Sequence, residues 1–148
     1  MVSHHDFSHT FEIEGRNFSK AGSVSIDIKE ILQELGIDPV IVRRTAIVTY
    51  EAEMNAVMYA NKSKMVLTLN PNVIRIILED EGPGIENIEI AMQEGYSTAT
   101  DEIREMGFGA GMGLPNIKKN ADVFELKSTI GKGTSYNIII YLNPTGNA

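Results

Sequence analysis

Cysteine is absent from this 148-residue chain, and so is tryptophan. Without thiols there is no disulfide staple, no thiolate nucleophile and no zinc–thiolate site. No apolar run approaches the roughly 18 residues of a membrane-spanning helix, and MVSHHDFSHT at the N-terminus lacks the basic and apolar regions of a secretory signal. Cations are scarce: 13 Lys and Arg face 20 Asp and Glu, for a net charge of −7. A surface that tracks nucleic-acid phosphates needs a basic patch, and only Arg43–Arg44 and Lys118–Lys119 form basic pairs. The chain therefore reads as cytoplasmic, with no polymeric nucleic acid and no membrane as partner. The three histidines, His4, His5 and His9, cluster in a polar N-terminal stretch. They read as a solvated tail rather than a metal cluster or a triad base.

What is present suits a folded core. Hydrophobic residues make up 43% and charged residues 22%, a globular balance rather than a disordered one. No repeat or linker interrupts residues 1–148, which read as one domain. Alternation over 9–15 predicts a strand. Residues 22–35 predict a helix with Val24, Ile28, Ile31, Leu32 and Leu35 on one face and Gly36 as its stop. Asp38 and Pro39 mark a second helix start, Asp as cap and Pro in the first turn, and that helix runs to about Ala60. Strands at 64–70 and 73–80 form a hairpin, as do 122–129 and 134–142. Short helices fall at 87–94 and 115–120, around a long glycine-bearing loop at 95–114. The order predicts an α+β fold with a mostly antiparallel mixed sheet and helices on one face.

Three segments carry chemistry. Glu51 and Asn55 stand one turn apart on the second helix, on one face, within a largely apolar segment where unpartnered polar groups are costly. A solvent-facing polar stripe is the alternative. Asp80 ends a strand and is followed by Gly82, Gly84 and Ile85. An ionised Asp there can accept from an exocyclic amine such as that of adenine, and glycines let backbone approach a ligand. An ordinary acidic turn is the alternative. Gly107, Gly109, Gly111 and Gly113 alternate with Phe108, Ala110 and Met112, then enter a helix at Leu114 and Pro115. Backbone N–H groups at such a helix start can cradle phosphate; a flexible linker rarely interleaves such residues. There is no G-x-x-x-x-G-K-[ST], no G-x-G-x-x-G, and neither H-R-D nor D-F-G.

Together and in this order, the segments resemble the GHKL family of ATPases, which includes histidine-kinase catalytic domains, Hsp90, gyrase B and MutL. Glu51-x-x-x-Asn55-Ala56 resembles its N box, Asp80-x-Gly82-x-Gly84-Ile85 its first glycine box and Gly109-x-Gly111-x-Gly113-Leu114 its second. Gly131-Lys132-Gly133-Thr134 resembles the segment before its last strand. Within the family, the run from MQEGYSTA to GFGAGMGLPNIKKNADVFEL is similar to bacterial anti-sigma-factor serine kinases, above all the stressosome switch kinase.

The resemblance implies the Bergerat fold, an α/β sandwich, and ATP with Mg²⁺ as cofactors. It makes Glu51 the general base and gives Mg²⁺ to the Asn55 oxygen. It gives the adenine amine to Asp80, with Gly82, Gly84, Ile85 and Thr134 around the base. Ser97, Thr98, Gly109, Ala110, Gly111, Met112, Gly113 and Leu114 surround the phosphates. The implied activity is an ATP-dependent protein-serine/threonine kinase and binding switch acting on a small STAS-domain antagonist, with a sigma factor as the other candidate partner and homodimerisation open. Two rivals stand beside it: a non-catalytic interaction module gated by nucleotide, and the detached ATP-binding subunit of a histidine kinase. Glu51 speaks against both, since pure binding needs no base and histidine kinases usually lack a Glu there.

Overall fold

The computed structural model describes residues 7–97 and 112–142. Over them the chain forms β1 (Phe7–Glu14), a 3-10 turn (Phe18–Lys20), α1 (Ser23–Glu34), α2 (Pro39–Tyr59), β2 (Lys62–Leu69) and β3 (Val73–Glu81). It continues with α3 (Ile88–Ala91), α4 (Gly113–Asn120), β4 (Val123–Thr129) and β5 (Gly133–Tyr141). The expected elements are present, with ends shifted by a few residues. Much of the 95–114 loop lies outside the described residues.

The strands form one sheet in the order β1-β2-β3-β5-β4, antiparallel at every described pairing. The mixed sheet expected from the sequence is thus corrected to an antiparallel one. β2–β3 and β4–β5 are hairpins, β1 joins the edge beside β2 after the chain has passed through α1 and α2, and β5 returns beside β3 in the opposite direction. Alternate residues are buried along each inner strand: Met65 and Leu67, then Ile74, Ile76 and Leu78, then Tyr136, Ile138 and Ile140. That period of two gives the sheet one core face.

Helix α2 lies on this face. It touches β1, β2, β3 and β5 and packs against α1 and α4. Asp38 starts it as expected, accepting the Val40 N–H at 2.8 Å, with Pro39 in the first turn. Helix α1 buries Val24, Ile28 and Leu32, but Leu35 is 49% exposed. Placing Leu35 on the buried face was therefore wrong. The helix ends at Glu34, one residue before Leu35, and the chain turns away through Gly36 at φ 74°.

One device in the fold is invisible to periodicity. The start of α1 has no local side-chain cap. Instead Glu53, reaching from α2 and only 1% exposed, accepts N–H bonds from Gly22 (2.9 Å), Val24 (3.2 Å) and Ser25 (2.9 Å). These are the donors a helix start leaves unpaired. Burial pushes the Glu53 carboxyl above its ordinary range, and the three N–H groups pull it back. Helix α4 is anchored at its other end. Arg44 Nε donates to the Asn120 carbonyl at 2.9 Å, and the same guanidinium pairs with Asp122 at 3.2 Å.

Candidate functional site

Two clusters form where α2, α4 and the ends of β3 and β5 meet. The first surrounds Asp80. Even-numbered residues of β3 face the helices, so Asp80 follows Leu78 onto that side, half-buried. Its Oδ1 accepts the Thr134 N–H at 2.8 Å; Oδ2 has no hydrogen-bond donor among the described residues. This pairing needs glycine at 133, at φ 148°, since a Cβ there would collide with the Asp80 carbonyl. Burial pushes the Asp80 carboxyl up from its ordinary range, and the Thr134 N–H opposes the rise. Gly82 and Gly84 then carry the chain off the strand to Ile85, whose N–H donates to Ser128 Oγ at 2.6 Å. Ser128 Oγ also lies 2.9 Å from Thr134 Oγ1. Asp80, Ile85 and Thr134 are therefore tied together.

The second cluster lies on α2 and α4. Glu51 and Asn55 are each half-buried, so the solvent-facing stripe gives way. Glu51 Oε2 accepts from Asn116 Nδ2 at 2.8 Å. Asn55 lies against Gly113, the first residue of α4: a Cβ there would sit 3.2 Å from Asn55 Oδ1. No side chain among the described residues caps that start, and the Gly113 and Leu114 N–H groups there are of the kind that can face an anion. Met112 precedes it and Leu114 is buried in its first turn. Ser97 is half-buried at the end of its described stretch. Thr98, Gly109, Ala110 and Gly111 lie outside the described residues.

Tyr136 bridges the two clusters. It is 3% exposed, and its hydroxyl accepts from Asn55 Nδ2 at 3.4 Å. Burial, with the Asp80 charge nearby, pushes its phenol far above the ordinary range. Sequence reasoning missed Tyr136, Ser128, Asn116 and Glu53. Each depends on a partner 28 or more residues away or across a hairpin, so no local spacing marks it.

A magnesium ion suits what is here. Such an ion keeps most of its shell as water and phosphate oxygen and needs one or two protein oxygens. Asn55 Oδ1 supplies one, and no group of three or more His, Cys, Asp or Glu forms a protein-only cage among the described residues. Asp80 Oδ2, which meets no donor among the described residues, is likewise an acceptor open to an amine. Two hollows adjoin the clusters. One of about 680 Å³ runs between α1 and α2, lined by Ile26, Lys29, Val42, Arg43 and Tyr50, and reaches Glu51. The other, about 810 Å³, reaches Asp80 from the β1–β2 side. No helix among the described residues is long and apolar enough to cross a membrane.

An antiparallel sheet under three packed helices, with an acidic strand end and a helix start facing the polar pair Glu51 and Asn55 of α2, makes an α+β sandwich. The chain belongs to the histidine kinase-, DNA gyrase B- and HSP90-like ATPases, whose family model matches residues 41–145. Among curated proteins it is similar to the serine/threonine-protein kinase RsbT of Bacillus subtilis, 33% identical over 118 residues, covering 77% of this chain and 83% of that one. It is also similar to anti-sigma F factors. That of Caldanaerobacter subterraneus is 36% identical over 97 residues, 62% of this chain and 64% of that one. That of Priestia megaterium is 31% identical over 108 residues, 67% of this chain and 70% of that one. The match thus spans less than two thirds of the first anti-sigma F factor but most of RsbT.

Proposed function

We propose that this chain is an ATP-dependent protein-serine/threonine kinase and binding switch of the anti-sigma-factor type, acting in the cytoplasm on a small STAS-domain antagonist. The observation that carries the reading is Glu51: a half-buried carboxylate with one oxygen held and the other without a donor among the described residues, one turn from Asn55. A module that only binds has no use for such a base.

In this reading Asp80 Oδ2 accepts the adenine amine, and Thr134 fixes the carboxylate from behind. Asn55 Oδ1 holds Mg²⁺, which supplies charge neutralisation on the phosphates. Backbone N–H groups at the start of α4 face the phosphate chain, and Glu51 takes the proton from the attacking hydroxyl. The hollow between α1 and α2 offers a protein substrate an approach, since it is apolar, carries Lys29 and Arg43, and ends at Glu51.

The test is incubation of the chain with Mg-ATP and a purified STAS-domain protein, with phosphoserine and phosphothreonine read by mass spectrometry. Transfer that disappears in Glu51→Gln supports the kinase. Mg-ATP-dependent complex formation without transfer, equal in wild type and Glu51→Gln, would replace it with the nucleotide-gated binding module.

A further inference from the structure

We infer that Asn116 is the positioning residue for Glu51, its amide holding the carboxylate so that the base meets the acceptor hydroxyl in one pose. The inference rests on the kinase reading above and adds to it a residue from the other side of the site.

The geometry is direct. Asn116 Nδ2 donates to Glu51 Oε2 at 2.8 Å across 65 residues of chain, with both groups partly buried. The donor sits on a helix that is fixed along its length. Leu114, Pro115 and Ile117 are buried on either side of it. The Asn116 N–H bonds the Met112 carbonyl at 2.9 Å, its own carbonyl takes Asn120 Nδ2 at 2.9 Å, and Arg44 clamps the Asn120 carbonyl. The amide is therefore held still, and Glu51 stands on the long central helix.

A glutamate side chain turns about three bonds, and an unrestrained base spends little time in the reactive pose. One hydrogen bond to Oε2 selects a pose and leaves Oε1, which meets no donor among the described residues, for the substrate proton. In the reaction Oε1 takes that proton as the acceptor oxygen bonds to the γ-phosphorus and the bond from phosphorus to the ADP oxygen breaks. The neutrality of the amide matters. A Lys or Arg at 116 would orient the carboxylate as well but would weaken it as a base by stabilising its charge. Because α4 also begins against Asn55, one helix sets both polar groups of α2.

The bland account is a tie between two helices with no bearing on chemistry. Single-turnover phosphoryl transfer to the same STAS-domain protein, followed across the acid-to-neutral range, separates them. In Asn116→Ala the transfer rate falls roughly 10- to 100-fold, while KM for ATP stays within about 2-fold of wild type. Thermal stability falls only slightly, since the helix propensity gained with Ala offsets part of the lost hydrogen bond. In Asn116→Asp a like charge faces Glu51, so the acid limb of the pH–rate profile moves to higher pH by roughly one unit. A mere helix tie leaves the rate and the acid limb in place, with an effect on stability alone. That result overturns the assignment. Glu51→Gln keeps the two ideas apart: if it transfers phosphate normally, the base and its positioning residue both fall. If it is inactive while both Asn116 variants match wild type in rate and pH profile, only the positioning role falls.

Discussion

Replacing Asp80 with Asn tests the adenine site with two readouts of opposite sign. The carboxylate uses Oδ1 for the Thr134 N–H at 2.8 Å and keeps Oδ2 for a ligand. In the amide, the oxygen keeps the Thr134 bond, which leaves the NH₂ facing the exocyclic amine of adenine, donor against donor. A charge-assisted hydrogen bond is worth about 1.5–3 kcal/mol, so ATP affinity should fall roughly 10- to 150-fold. Stability of the ligand-free protein should move the other way. Burial raises the folded-state pKa of Asp80, so the folded protein holds its proton more tightly than the unfolded chain. The buried carboxylate therefore subtracts stability as pH rises above the ordinary 3.8. The amide carries no such cost, and at neutral pH Asp80→Asn should unfold at an equal or higher temperature than wild type. Calorimetry with ATP and GTP, alongside thermal unfolding, makes the comparison; misfolding cannot weaken binding while raising stability. GTP should bind wild type far more weakly, because guanine offers a carbonyl where adenine offers an amine. Equal affinity for the two nucleotides, or wild-type ATP affinity in Asp80→Asn, would remove the adenine role from this residue.

Three further outcomes are expected. Asn55→Ala should lose Mg-ATP affinity together with activity, whereas Glu51→Ala should keep ATP affinity and lose about 10²- to 10⁴-fold in phosphoryl transfer; parallel calorimetry and transfer assays read the split, and full activity in Glu51→Ala would make that carboxylate structural. Glu53→Ala should cost about 3 kcal/mol or more in urea unfolding, because the Gly22, Val24 and Ser25 N–H groups lose their acceptor; a loss below about 1 kcal/mol would show water replacing the carboxylate. ATP affinity should decline as pH falls through the titration of Asp80, starting above the ordinary 3.8, since the protonated acid is the poorer acceptor; that decline should vanish in Asp80→Asn.

Legibility in the sequence followed the range of each interaction. Elements fixed within a few residues were readable. Asp38 capping α2, the hairpins and the buried Val24, Ile28 and Leu32 all follow from local chemistry or period. Leu35 failed because periodicity says which residues share a face but not where the helix stops. The parts of the site lying on one segment, Glu51 with Asn55 and Asp80 with its glycines, were legible as motifs. The parts that hold them were not. Asn116 meets Glu51 and Tyr136 meets Asn55 only after the chain has folded, over separations of 65 and 81 residues. Ser128 joins Ile85 to Thr134 by a hydroxyl that reads in the sequence as an ordinary strand serine.

The hardest distinction lies within three residues. Glu51 and Glu53 share one helix and one chemistry, yet about 200° of helical rotation separates them. That turn sends Glu53 toward the start of α1 and Glu51 toward α4. Spacing shows that they diverge without showing which one is the base. On the proposed reading, the supply of donors separates them. Glu53 is sealed from solvent with three backbone N–H groups on its two oxygens, so accepting a substrate proton would break a helix cap. Glu51 has one amide donor on Oε2 and none on Oε1 among the described residues, and it remains partly open to solvent. A proton can reach it without disturbing the fold. Helix α2 therefore uses one carboxylate to hold α1 and presents the other to the site.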